Sequence, residues 1–224
     1  MKRYYQTQIK ELYSVSKIVT VHYYELAKNF YSQKEKHNFW EVVYVDRGEV
    51  SVKTDLGEYS VKAGEAIFYS PNEYHGTGKI TGVPTNIGIV SFVCKSPAMN
   101  YFKGKVVKLN NEEKNLLSGI IDVGIISFED VKSNEVFKGL KLKEDASPAA
   151  LQLIKVQLEH LLIRLFIREN NLFETKKQIA KNKENQDKER AIYLNLRKAL
   201  LDRYLSCWSR RINIHLSIIF LKIN

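Results

Sequence analysis

The sequence predicts a β plus α fold: an antiparallel β-sandwich or barrel followed by an α-helical region. Three observations predict it. Residues 18–93 carry short β-branched and aromatic runs separated by Asp/Gly turns every 8–12 residues or so. Near residue 105 the apolar spacing lengthens from two to about 3.6. From Ser147 onward a long apolar segment carries a capped helix start. At 224 residues the chain is long enough for one large domain or two small ones, each with a proper core.

The N-terminal arm, residues 1–17, is basic and lacks an apolar signal-peptide stretch, so no secretory signal is expected. "IVTVHYYE" is the first strand. "FWEVVYVD" follows, then a turn at Asp46-Arg47-Gly48-Glu49, then "VSVKT". A second turn at Asp55-Leu56-Gly57 leads into "EYSVKAG". "AIFYS" ends at Pro71, and "TNIGIVSFV" is a later strand.

"NNEEKNLLSGIIDVGIISFE" has an Asn start, early acids and helical apolar spacing, and predicts a helix over 111–127; Gly119 and Gly124 weaken it. Residues 129–146 are charged and read as loop or short helix. A strong helix is predicted over 148–170, with Ser147 as its cap and Pro148 in the tolerant first turn. Leu151, Ile154, Leu158, Leu161 and Leu165 form a 3-4-3-4 seam. Val156, Ile163 and Ile167 lie outside it. The expectation is that the seam meets a second subunit while another face packs on the β-region. Beyond a charged linker, the tail starts as an amphipathic helix through about Tyr204, and its runs "INIH" and "LSIIFLKIN" read as β-prone.

The net charge of +10 is uneven: residues 171–224 hold 12 Lys/Arg and 5 Asp/Glu. A basic C-terminal quarter is suited to approach an anion, including nucleic acid. Cys94 and Cys207 lack metal-ligand or disulfide spacing and read as free thiols of a reducing cytoplasm. No uninterrupted apolar run is long enough to predict a membrane span.

One stretch carries the candidate chemistry. Along an ideal strand, His37, Phe39, Glu41, Val43 and Val45 share a face, and Trp40, Val42 and Tyr44 share the other. Both faces are apolar, so Glu41 is costly unless paired or functional. His75 follows the second hairpin and can come beside His37 and Glu41. Two His and a carboxylate suit a divalent ion. On a flat strand, however, residues four apart are separated by about 13 Å.

His37-x3-Glu41-x6-Gly48 resembles the first motif of the cupin superfamily. Gly64-Glu65, Ala66–Ser70, Pro71 and His75 resemble the second. The whole run over about residues 18–95 more closely resembles the sensor domain of AraC/XylS-type transcription regulators. The helices at 111–127 and 148–170 resemble that family's helical appendage. The resemblance implies a cupin-like jelly roll with a helical dimerisation region. It also implies three parts: a β-barrel with its arm at 1–104, a helical appendage at 105–172, and a basic linker with the remnant of a DNA-binding domain at 173–224. Metal-binding cupins usually place a further His where Glu35 stands, and often an Asn where Lys79 stands.

The reading that follows is an effector sensor rather than an enzyme, with no catalytic residue, metal or cofactor. The expected effector-binding residues are His37, Phe39, Glu41, Tyr69 and His75. The expected ligand is a small polar molecule such as a sugar. The expected dimerisation residues are the five of the seam, in a homodimer or a heterodimer with an intact relative. The family's C-terminal pair of helix-turn-helix units is expected to be truncated or degenerate here, which leaves only non-specific DNA contact and no assignable DNA-binding residues. Two rival readings stand beside it. One is a cupin enzyme holding iron, manganese or zinc with His37, Glu41, His75 and Glu35. The other is a stand-alone small-molecule-binding module.

Overall fold

The computed structural model describes residues 3–27, 30–77, 84–129 and 140–223. Its side chains are described through residue 171 and at 175, 177–192, 194, 195 and 198. Among the described residues, eight strands form two antiparallel sheets. They are β1 (Val15–Leu26), β2 (Trp40–Arg47), β3 (Glu49–Thr54), β4 (Gly57–Lys62), β5 (Glu65–Tyr69), β6 (His75–Thr77), β7 (Thr85–Cys94) and β8 (Val106–Lys108). The larger sheet has the order β1-β7-β2-β5-β8, and the smaller has the order β4-β3-β6. The expected β plus α architecture is what forms.

The alternation in the sequence explains the layers. In β3, Val50, Val52 and Thr54 are buried while Ser51 and Lys53 are exposed, so one face looks inward. β2 is buried on both faces. Val43 and Val45 join Val50, Val52, Val61, Ile67 and Ile87 in the core between the sheets. Trp40, Val42 and Tyr44 join Phe68, Val90 and Phe92 in a second core on the sheet's far side. The large sheet is therefore the middle of three layers.

Helices cover that far side. Helix α1 (Asn111–Ser127) starts with a capping box: the Asn110 side chain accepts from the Glu113 N–H, and the Glu113 carboxylate accepts from the Asn110 N–H. Gly124 permits its close approach to β1, because a Cβ there would lie 2.8 Å from the Val21 Cβ. A short 3-10 helix, Pro97–Phe102, buries Met99 and Phe102 beneath the helices.

Helix α2 (Ala150–Ile223) starts two residues later than expected, with Ser147 Oγ accepting from the Ala149 N–H. Its seam corrects an expectation. Ile154, Leu158, Leu161 and Leu165 are buried in the core against the large sheet; Leu151 alone of the five is exposed. The large sheet presents a broad apolar face, and the most apolar stripe of the helix meets it. Val15 N–H donates to Glu159 Oε1 at 2.7 Å, tying the start of β1 to α2.

Compactness divides the chain at Arg168/Glu169. The first unit comprises the β-layers, α1 and the start of α2. The second unit, from Glu169, is helical through Ile223. This corrects the β-prone reading of "INIH" and "LSIIFLKIN". After Pro148 the sequence contains neither proline nor glycine, so nothing in it breaks a helix once started. Residues 130–139 of the expected loop lie outside the described residues. Among those described, no helix is long and apolar enough to cross a membrane.

Candidate functional site

The site grows out of one cross-strand row. Thr20 pairs with Ser91, Ser91 with Glu41, and Glu41 with Tyr69, across β1, β7, β2 and β5. Paired residues in adjacent strands share a face. The Thr20 hydroxyl donates to Ser91 Oγ at 2.6 Å, and Ser91 Oγ donates to Glu41 Oε2 at 2.8 Å. A relay of hydroxyls thus holds one oxygen of an acid that would otherwise be costly on this face.

His37 reaches Glu41 by a route the strand argument missed. It lies before β2, and a bend at Asn38 and Phe39 folds it back. The 13 Å separation of a flat strand therefore does not apply. Its Nε2 stands 3.5 Å from Glu41 Oε2, while its Nδ1 lies 3.0 Å from the Phe39 carbonyl oxygen. Its ring lies flat on the Phe39 ring, with centroids 3.8 Å apart. The backbone N–H of Asn72 donates to the His37 carbonyl at 2.7 Å, pinning this bend to the β5–β6 turn.

His75 comes from the opposite sheet. Its Nε2 is 3.7 Å from Glu41 Oε1, and its Nδ1 is 3.0 Å from the Glu73 carbonyl oxygen. Tyr69 stacks on its ring at 4.2 Å. The Glu73 carboxylate accepts from the Ser70 N–H and hydroxyl, which shapes the turn that delivers His75. Glu35 exchanges both backbone hydrogen bonds with His75. It thus acts as a clamp on the strand, and it lines the cavity as well.

Glu41, Tyr69 and His75 line a cavity of about 150 Å³ with Tyr24, Leu26 and Val43. That is small beside common ligand pockets of about 300–1,000 Å³ and suits a compact polar group. His37 and Phe39 are not among its lining residues; His37 contacts two that are, Glu41 and His75. A larger cleft of about 430 Å³ lies between the sheet and α1, lined by Tyr23, Tyr44, Asp46, Lys114 and Asp122 among others. None of the expected site residues borders it.

The electrostatics match the geometry. Burial opposes the charge on Glu41, yet its contacts with His37 and Ser91 and the field of His75 outweigh it and hold the carboxyl below the usual range. Burial likewise opposes charge on His37, and the contact with Glu41 outweighs it and raises the imidazole. Burial pushes the Tyr69 phenol far up, with Glu41 adding to it, so this ring stays neutral.

Sequence reasoning named the five residues at the centre of this arrangement. It missed Thr20, Ser91, Asn72 and Glu73. The pattern Ser70-x-x-Glu73 was a legible signal, since it is the spacing of a reciprocal side-chain cap. Lys79 lies outside the described residues.

Comparison with solved structures found several proteins to which part of the chain is similar. It is 13% identical to ToxT from Vibrio cholerae O395, bound to a naphthalenyl-butenoic acid, over 47% of this chain and 48% of that one, with a TM-score of 0.38. It is 15% identical to an RmlC-like cupin family protein from Methanocaldococcus jannaschii, over 42% and 91%, with a TM-score of 0.32. It is 18% identical to a predicted oxalate decarboxylase from Thermotoga maritima, over 34% and 67%, with a TM-score of 0.33. Comparison with curated proteins returned no match. In sequence, residues 18–94 match the family described as AraC-like ligand binding domain. These residues span β1 to β7 and include His37, Phe39, Glu41, Tyr69 and His75. The chain thus carries an AraC-like ligand binding domain at residues 18–94.

Proposed function

We propose that the chain is the sensing and dimerisation portion of a transcription regulator, and that it catalyses no reaction. The observation that carries this reading is the meeting of Glu41 and His75 on one small cavity, with His37 set against Glu41, inside a ligand-binding domain. A compact polar effector such as a sugar fits the His75 imidazole, the Glu41 carboxylate and the Tyr69 wall.

The proposed pairing surface differs from the expected seam, because that seam is used inside the chain. Leu153, Val156 and Ile167 lie near one line along α2 and are about half exposed. The partner is a second copy or an intact relative. The helical unit from Glu169 supplies basic charge and no turn among its described residues, whereas a helix-turn-helix reader needs two helices. DNA contact by this chain is therefore proposed to be non-specific and salt-dependent.

The test is thermal unfolding of wild type and Glu41→Gln with a panel of monosaccharides. Ligand at about 100 times its Kd adds about 2.7 kcal/mol. That raises Tm by roughly 5–10 °C in a protein of this size. The gain should vanish in the variant. A wild type that no polar compound stabilises would sink the reading.

A further inference from the structure

We infer that the cleft between the large sheet and α1 is a second binding site, and that it takes a protonated amine carried on a small apolar body. The inference goes beyond the sensing reading and does not rest on it.

One glycine shapes the cleft. Tyr23 pairs with Gly88, and Gly88 with Tyr44, across β1, β7 and β2. Paired residues share a face. Three adjacent strands set the outer two about 10 Å apart. Two tyrosines therefore stand on either side of a position with no side chain. A Cβ at Gly88 would lie 2.6 Å from Ile121 Cδ1, so glycine is what lets α1 lower Ile121 onto the sheet there. Leu117, Ile121 and Ile125 give the cleft its apolar helical wall.

The two phenols fix a charge in it. Tyr23 OH donates to Asp46 Oδ2 at 2.8 Å, and Tyr44 OH donates to Asp46 Oδ1 at 3.4 Å. Asn86 Nδ2 donates to the Tyr23 oxygen at 3.1 Å, which leaves the Tyr23 hydrogen for Asp46. A carboxylate offers about four acceptor positions. The phenols take one on each oxygen, and Asp46 is exposed, so the others are open. Asp122 enters the lining from α1 and is exposed as well. Neither carboxylate forms an ion pair with a described residue.

The charge balance selects a cation. Among the described residues, Lys114 is the one base of the lining. It stands eight positions before Asp122, about 12 Å along the helix axis. Its Nζ lies over the Gly64 turn, 3.3 Å from where a Cβ would stand. Two carboxylates against one ammonium leave a single negative charge, which matches one amine. The volume selects a molecule over a bare ion. At about 430 Å³ the cleft falls in the usual range for small-ligand pockets, and its apolar wall with a few placed polar groups has their make-up. Aromatic rings attract cations, and Asp46 supplies a charge-assisted acceptor.

The test uses the full chain with ¹³C-labelled isoleucine δ1-methyl groups. It is titrated with phenethylamine and, separately, with 3-phenylpropionate, which carries the opposite charge on the same body. Ile121 and Ile125 report from this cleft, and Ile87 and Ile89 from the cavity at Glu41. The expected result is a saturable shift of Ile121 and Ile125 with phenethylamine, with Ile87 and Ile89 unmoved and no response to phenylpropionate. Asp46→Asn and Asp122→Asn, both at exposed positions, should each weaken binding about tenfold. Glu41→Gln should leave it unchanged. No saturable shift at millimolar phenethylamine would overturn the inference, as would an equal response to phenylpropionate or full-strength binding in both aspartate variants. Such a failure leaves the monosaccharide test intact, because Tyr44 and Val43 place the two sites on opposite faces of the large sheet.

Discussion

The Glu113 carboxylate meets the Arg168 guanidinium at 3.0 Å, and that one contact joins the start of α1 to the last residue of the first unit. Glu113 is 1% exposed and also completes the capping box; Arg168 donates to the Lys108 carbonyl of β8 as well. Removing the buried carboxylate leaves the partly exposed Arg168 with only the Lys108 carbonyl. Glu113→Ala should therefore lower stability by about 2–4 kcal/mol, cap included. Urea unfolding should show a lower midpoint with an unchanged slope. A change below about 0.5 kcal/mol would mean that solvent already satisfies Arg168.

The two glycines of α1 should respond in opposite directions. A Cβ at Gly124 would press on the branched Val21 side chain of β1, which has nowhere to retreat. Gly124→Ala should cost about 1–3 kcal/mol. A Cβ at Gly119 would meet only Gln157 Nε2 at 2.7 Å, the far end of a flexible side chain. Gly119→Ala should gain about 0.5–1 kcal/mol from helix propensity. Paired melting curves decide it; equal effects would show that α1 does not dock as described.

Alkaline stability should depend on Tyr44. Burial, followed by the charge of Asp46 and a hydrogen bond to it, pushes its phenol up to about 12. Folding thus favours the protonated phenol. The associated stability is present below the unfolded value near 10 and is lost as pH rises through about 12. Tyr44→Phe should flatten the fall in Tm between pH 9.5 and 11, roughly the window where an unfolded tyrosine ionises. An unchanged slope would assign the fall to other groups.

Legibility in the sequence varied with element length and with what each face meets. β2 was readable because its two faces are both apolar, and Val43/Val45 and Trp40/Val42/Tyr44 do enter two different cores. β6 and β8 have three residues each, too few for a period to register. The apolar seam of α2 was legible, but its partner was not. Periodicity reports that a face is buried, never against what. His37 and Glu41 were legible as a pair, whereas the bend that brings them together depends on Asn72 reaching back from a turn 35 positions later.

A fragment ending at residue 104 should not hold the native barrel. It would lack Leu117, Ile120, Ile154, Leu158 and Leu162, the covering for Trp40, Phe68 and Phe92. A fragment of residues 1–168 keeps all of them. Near-ultraviolet circular dichroism should be native-like for the longer fragment and collapsed for the shorter. A shorter fragment with a sharp, native-like spectrum would show that the helical layer is dispensable.

The hydrogen bond from Val15 to Glu159 joins positions 144 residues apart, and its consequence concerns the order of synthesis. A chain emerging from the ribosome completes its strands long before α2 exists. At about 5–20 residues per second, roughly 60 residues of delay between Phe102 and Leu165 leave the aromatic face of the large sheet bare for several seconds. During that interval the nascent barrel is a target for chaperones and for its own neighbours on the same message. Sealing comes only when α2 arrives and the first strand receives its last partner.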